Sequence, residues 1–378
     1  MKAKEIICDV VVVGAGVSGL AAAVSASERG AKTVLLEQNN FLGGAVIAGM
    51  HRYLCGLYGK TVSRTINAGL ARNLSSCLRK SSIRNRPQRL GKVYVLAFRN
   101  KDMKACLHTL VKNRKNLKVF LNSRACSVRQ KRGSIQGVRA KAKGRIFTIL
   151  PKVVIDASGE GAVIKLSKAR YRMASYSKRQ LSGFSFRLKG LKNANELLSI
   201  KVPYYIKFAV YTPLDSHGEC LIRLNIPAGR DVVNIRKKAQ KVCGCLRKVL
   251  PEFKDAYIVE FSPYIIKREG IRLCGEYTLT ASDVLQGRRF KDGVVKNCWP
   301  IEIWDQKKGP YYKYINSGGY YEIPLRCLKS KNVKNLLVCG RCISVTHEAL
   351  GSTRAAGTCI ALGEQAGIAA VKLNEEYR

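Results

Sequence analysis

Acidic residues are scarce. The 378-residue chain holds 25 Asp and Glu against 68 Lys and Arg, a formal net charge of +43. Between Lys60 and Arg145 a single acid, Asp102, stands against 24 basic residues. Such a balance favours anionic partners: nucleic acid, a membrane surface or an acidic substrate. A merely solvated basic face is the alternative, since no block of six like charges occurs and no RNA-binding aromatic pair accompanies the charge. Low-complexity tracts and fixed-period repeats are also missing, which argues against disordered and solenoid classes. No apolar run is long enough to span a bilayer, so no transmembrane segment is expected. The apolar fraction is ordinary at 46%, and the length suits two or three domains with a large core.

Cysteine, by contrast, is plentiful, at 14 residues. Many sit in apolar runs such as "EIICDVVVV" and "NLLVCG", where a free thiol acts as a small hydrophobe. A reducing, cytoplasmic setting is expected rather than a secreted disulfide scaffold. The N-terminus has the basic start and apolar stretch of a signal peptide, but Asp9 and three glycines interrupt it. Cys243 and Cys245 lie too close for a typical zinc site, and no iron–sulfur cysteine set is visible. No metal is expected.

The same N-terminal residues fit a better template. "CDVVVVGAGVSGLAAAVSASERGAKTVLLEQ" reads as one βαβ unit: a strand at Val10–Val13, a helix from Leu20 to Glu28 closed by Gly30, and a strand at Thr33–Leu36. Gly14-Ala15-Gly16-Val17-Ser18-Gly19 gives G-x-G-x-x-G. The first glycine serves the tight turn, the second the approach of a pyrophosphate, the third close helix–strand packing. The helix N-terminus supplies free N–H groups and partial positive charge. Glu37, 18 residues past Gly19, is placed to bind a ribose diol. The expected fold class is therefore α/β, with a Rossmann-like dinucleotide domain.

"QNNFLGGAVIAG" follows Glu37 with the pair Gly43-Gly44. This resembles the two-dinucleotide-binding-domain flavoproteins. The resemblance implies FAD, with the glutamate on the AMP ribose and the glycine pair along the pyrophosphate and flavin. Strands from Leu117 to Gln130 and beyond the turn at Gly133 suggest the small β-meander of those proteins. By the same resemblance, residues near Ala125, including Cys126 and Val128, lie beside adenine. "VVIDASGEG" looks like the flavoprotein D-A-T-G-D-G motif with serine for threonine, bringing Ala157 and Gly159 against the cofactor. From about 167 to 330 the patterning changes to alternating strands and one helical stretch, an inserted α+β substrate domain. The expected division is 1–166 and 331–378 for FAD and 167–330 for substrate.

"NLLVCGRCISVTHEALGSTRAAGTCIALGEQAGIAA" reads as a strand ending at Cys339, a loop, and a small-residue helix from about Thr353 to Val371. With "REGIRLCGEYTLTASDVLQGRRFKDGV" and "GYYEIPLRCL" it resembles the FAD-dependent oxidoreductases that are distant relatives of fumarate reductase flavoproteins. The resemblance spans nearly the whole chain. It implies that Gly340 and Arg341 help bind FAD, and that Gly351, Ser352, Thr353 and Arg354 lie near the flavin, with the helix N-terminus facing its pyrimidine ring. Cys339-Gly340-Arg341-Cys342 is then structural rather than a redox dithiol.

The proton-moving candidates are His51, beside the expected flavin edge, and His347, in the C-terminal segment; imidazole titrates near neutrality. A histidyl–flavin bond at His51 and a reactive thiol at Cys55 are further options. Arg268 and Arg272 are candidates for a fork holding a substrate carboxylate. His108 and His217 read as structural. The leading reading is an enzyme moving a hydride or electrons between flavin N5 and a small molecule, anionic if the charge is functional, with an unassigned electron partner. No second G-x-G-x-x-G for NAD(P)H is visible. A tRNA-modifying flavoprotein and a flavin subunit of an electron-transfer complex are the alternatives.

Overall fold

A computed structural model describes residues 5–59, 61–192, 199–200, 208–214, 218–227, 232–316 and 319–376. The chain opens with β1 (Glu5–Val13), α1 (Val17–Glu28), β2 (Thr33–Leu36) and the short α2 (Gly44–Ala48). After two helices, Leu70–Ser81 and Asn100–Val111, it lays down β3 (Leu117–Phe120), β4 (Ser123–Lys131), β5 (Ser134–Ala142) and β6 (Arg145–Asp156). β1 lies parallel between β2 and β6, with Val10 paired to both Thr33 and Val153. Val10–Val13 are buried on both faces, which is why this run is β-branched throughout. β3 extends the sheet beyond β2.

β6 serves two neighbours on its other edge. Its first half pairs antiparallel with β5, and its last three residues pair parallel with β7 (Leu336–Val338). The meander β4–β5–β6 thus shares a continuous strand with the nucleotide sheet. Its first hairpin turns at Arg132-Gly133, both at positive φ, which suits the twist of a two-residue hairpin.

The C-terminus departs from the single helix expected from Thr353. It forms α3 (His347–Thr353) and then α4 (Ala356–Glu376). Two packing demands break it. Gly351 presses α3 against the strand Ile301–Asp305, where a Cβ would lie 2.7 Å from Glu302 O. α4 must instead lie on α1: a Cβ at Gly363 would meet Ser18 O at 2.0 Å, and one at Gly367 would meet Ala22 O at 2.4 Å. One straight helix cannot meet both surfaces, so the chain turns at Arg354-Ala355.

A second core lies in the inserted region. Strands Ser182–Lys189, Phe208–Pro213, Cys220–Ile226 and Tyr257–Phe261 form most of a five-stranded antiparallel sheet. The helix Val232–Val249 covers it with Ile235, Ala239, Val242 and Leu246, a 4-3-4 spacing that gathers apolar side chains on one helical face. Residues from Ile271 to Leu328, by contrast, pack into the first core.

Cys77 and Cys106, on the two helices between α2 and β3, are joined as a disulfide. This pair corrects the expectation of free thiols throughout: the helices run side by side and bring the two Cα atoms to 6.0 Å. The other twelve cysteines are free. Among the described residues, no helix is long and apolar enough to cross a membrane.

Candidate active site

Two glycine-bearing loops meet at the C-terminal ends of β1 and β2. Gly43 N donates to Ala15 O at 2.8 Å, and a Cβ on Gly44 would come within 2.9 Å of the Gly16 Cα. The three glycines of the first loop differ in what they need. Gly14 has φ +102°, and its missing Cβ would lie 2.7 Å from Ala157 O. Gly19 is packed against Gly14 O, where a Cβ would sit at 1.8 Å. Gly16 has ordinary extended backbone (φ −62°, ψ 171°), and nothing lies within 4 Å of the point where its Cβ would be. Protein packing explains the first and third glycines; only space for a ligand explains the second. The α1 N-terminus beside it has no side-chain cap and no acid in its first turn, so its field and N–H groups are available to an anion. Ser18 is buried in that turn, with its Cβ 3.1 Å from where a Gly340 Cβ would sit.

Glu37 is buried at the end of β2. It accepts from Ala15 N at 2.7 Å on one oxygen, and from Asn39 N and Nδ2 at 2.8 and 2.7 Å on the other. Each carboxylate oxygen has a further lone pair, so the group can hold the loop and still accept from a diol. Glu37 O also accepts from Ser123 N, which docks the start of β4 here. Cys126, farther along β4, is exposed with its thiol on Arg139 O, and Val128 is half-buried.

Across β6, Asp156 accepts from Ser158 N and Oγ and from Val163 and Ile164 N, fixing the Ala157–Gly161 turn. Burial raises the Asp156 carboxyl above its ordinary value, and these hydrogen bonds restrain the shift. Arg341 lies over Gly159 and pairs with Glu160, which Lys267 also contacts at 3.1 Å. Arg341 Nη1 is buried without a partner. An open Gly16, an uncapped helix and an orphaned guanidinium N–H along one seam fit the diphosphate-bearing cofactor FAD. Among the described residues, no group of three or more His, Cys, Asp or Glu is placed to hold a metal.

A second chamber opens where the inserted sheet meets α2. The carbonyl of Gly49 accepts from Ser185 Oγ at 3.0 Å and from Arg223 Nη2 at 3.1 Å, tying the two cores together two residues before His51. Arg223, Arg268 and Arg354 all act on His51 electrostatically. Arg268 donates to Leu181 O and Asn225 Oδ1, both at 2.6 Å, and stacks on Trp304 with its guanidinium carbon 4.2 Å from the ring centroid. Arg354, at the α3–α4 break, donates to Glu302 O at 3.0 Å. Glu302 is the acid nearest these cations, and the chain's two tryptophans hold it: Trp304 Nε1 donates to Oε1 at 2.6 Å and Trp299 Nε1 to Oε2 at 3.1 Å.

Burial first, then the three arginines, hold the His51 imidazole well below its ordinary value. Burial and Arg354 likewise lower Arg268 well below the usual guanidinium range. The Cys55 thiol is pushed upward by burial and by Glu302, against the pull of Arg223 and Arg354, so no thiolate stands ready there.

The neutral His51 makes a prediction. Unfolded, its ring takes up a proton near pH 6.5; folded, it does so only well below that. Below about pH 6.5 the unfolded state therefore binds more protons, and stability falls as pH drops, at up to about 1.4 kcal/mol per pH unit from this residue. His51→Gln should flatten the fall of melting temperature between about pH 7 and pH 5.5. Equal slopes in the two proteins would mean that His51 is protonated in the fold.

The expected fork of Arg268 and Arg272 does not converge in the structure. Arg268 faces the chamber; Arg272 is buried against Glu269, which also binds His347 Nδ1 at 2.8 Å. Burial would raise Glu269, but His347 and Arg272 hold it below its ordinary value. Gly351 and Ser352 are occupied by packing: the Ser352 hydroxyl bonds Trp299 O, Tyr321 and Asn297. Thr353 Oγ1 is buried and unpartnered. Cys339 and Cys342 are buried and unbonded to each other, and burial raises both thiols, Cys339 to about 12. His108 is exposed; His217 lies outside the described residues. Arg223, Gln180, Glu302, Trp299 and Trp304 escaped the sequence reading. The alternation in "WPIEIWD", which sets Glu302 and Trp304 on one strand face, was the available signal.

The fold has solved counterparts. The p-nitrophenol 4-monooxygenase of Pseudomonas putida superposes with TM-score 0.57 at 11% identity, covering 99% of this chain and 82% of that one. A geranylgeranyl bacteriochlorophyll reductase-like protein from Thermoplasma acidophilum gives 0.51 at 14%, covering 99% and 79%. At such identities the likeness concerns the fold alone. A stretch of 46 residues is 50% identical to the thiamine thiazole synthase of Aeropyrum pernix, spanning 12% of this chain and only 17% of the synthase. The model of the FAD dependent oxidoreductase family matches residues 9–208 and 223–376, and with the open, uncapped cradle at Gly16 this places the chain in that family as an FAD-dependent enzyme.

Proposed function

We propose that this oxidoreductase acts on a small anionic molecule held beside the flavin by Arg223, Arg268 and Arg354. The observation that carries the reading is the charge of the chamber. Three arginines surround His51, while their nearest acid, Glu302, is already occupied by two indole N–H groups. Buried like charges raise one another's free energy, and an anionic ligand relieves that repulsion. FAD, when bound, supplies hydride or electron transfer at N5. The protein's part is to seat and orient the substrate, exclude water, and offer the neutral His51 imidazole, with one N–H and one lone pair, for proton movement. In this division the β1–β2 end of the first core holds the cofactor, and the inserted sheet closes the substrate side through Ser185 and Arg223 on Gly49.

A flavin-bleaching screen tests this. The FAD-loaded enzyme is mixed anaerobically with small carboxylates, phosphate esters and their neutral counterparts. Compounds that bleach the visible flavin band should be anions, and added salt should weaken them. Bleaching by neutral compounds alone would remove the reading.

A further inference from the structure

Gln180 is 2% exposed, lies just before the strand Ser182–Lys189, and is anchored by its backbone N–H on Glu269 at 3.3 Å. Its side-chain oxygen accepts from Trp304 N at 3.2 Å and from Arg354 Nη2 at 3.4 Å. Those two donors fix the amide's orientation, because the flipped form would set its NH2 against two N–H groups. Nε2 is therefore the end left over, and it is buried with no partner. Arg354 shows the same deficit. Its Nη2 is used twice, on Gln180 and on Glu302 O, while Nε is buried and unpartnered. Nε and Nη2 share one edge of a guanidinium, so the orphan lies on the edge that faces Gln180.

Buried donors without acceptors are costly and uncommon. Glu302 cannot relieve these two, since both of its oxygens face the tryptophans. What the place lacks is an acceptor. We propose that Gln180 Nε2 and Arg354 Nε form a two-donor seat for one carboxylate group of the substrate. The inference rests on the chamber being an anion site and narrows its ligand. An amide N–H beside a guanidinium N–H presents two donors to the two in-plane oxygens of a carboxylate. A phosphate dianion carries more charge and more acceptor sites than these two donors satisfy.

The test is binding to the oxidised, FAD-loaded enzyme, read from perturbation of the flavin spectrum. The probes are acetate and benzoate, their neutral amides acetamide and benzamide, and inorganic phosphate. The two carboxylates should bind saturably, and the amides and phosphate more weakly. Gln180→Glu keeps an acceptor for Trp304 N and Arg354 but puts a negative charge at the seat. It should retain FAD and melting temperature and weaken carboxylate binding by about tenfold or more, since like charges oppose each other strongly when desolvated. Carboxylate affinity unchanged in Gln180→Glu would overturn the seat while leaving the arginine chamber standing. Phosphate binding tighter than either carboxylate would overturn the ligand class. Amides binding as well as carboxylates, or no carboxylate binding at all, would overturn the seat and the anion chamber together.

Discussion

Gly16→Val should yield a folded protein that has lost its flavin. The position has ordinary backbone angles and no neighbour within 4 Å of its absent Cβ, so a side chain there strains nothing in the protein alone. The same side chain fills the space in front of the α1 N-terminus. If the FAD pyrophosphate crosses there, losing two charge-assisted hydrogen bonds at about 1.5–3 kcal/mol each weakens FAD by roughly a hundredfold or more. The melting temperature of the FAD-free proteins should be nearly equal. Gly19→Ala is the contrasting variant, because its Cβ would overlap Gly14 O and the damage should fall on folding itself. The checks are the flavin-to-protein absorbance ratio after desalting and reconstitution with added FAD. Wild-type FAD affinity in Gly16→Val would show that the cofactor does not pass over this glycine.

What the sequence made legible is local. β1, α1 and β2 follow from rules that act within a few residues: a β-branched run, glycines at fixed offsets, and an acid after the second strand. Glu37 and Asp156 are read the same way, since each organises backbone N–H groups close in space and, for Asp156, close in sequence. The turn at Arg132-Gly133 announced the meander. The chamber was much less legible because it is built from distant segments. His51, Gln180, Arg223, Arg268, Glu302 and Arg354 meet through single non-local contacts, such as those of Gly49 O. Spacing alone suggested that Arg268 and Arg272 act together, yet the chain bends at Arg268 before the short strand Arg272–Leu273, and the two side chains find different acids and carbonyls. The break between α3 and α4 was equally hidden, because it answers to Glu302 O and Ser18 O, each far away in the chain. So was the Cys77–Cys106 pair, separated by 29 residues on two helices.

Arg268→Leu should separate stability from function. In the free enzyme the substitution has opposing effects. It removes hydrogen bonds to Leu181 O and Asn225 Oδ1, each worth about 1 kcal/mol net. It also removes a buried cation that faces Arg354 and Arg223, whose repulsion, with burial, holds Arg268 well below its ordinary range. Leucine keeps the contact with the Trp304 ring as an apolar one. These changes partly cancel, and the shift in melting temperature should be small. The anion-bound enzyme has no such offset, because the cation that disfavours the empty chamber is the one that favours the filled one. Truncating one side of a desolvated charge pair costs about 2–4 kcal/mol, or about 30- to 700-fold in affinity. Benzoate or whichever anion bleaches the flavin should therefore bind far more weakly to Arg268→Leu, with FAD content unchanged. A large drop in melting temperature with anion affinity intact would instead make Arg268 a strut between the inserted sheet and the Trp304 strand. The same reasoning explains how the chamber retains three buried arginines beside a neutral histidine: the repulsion that weakens the empty site is released when the substrate arrives.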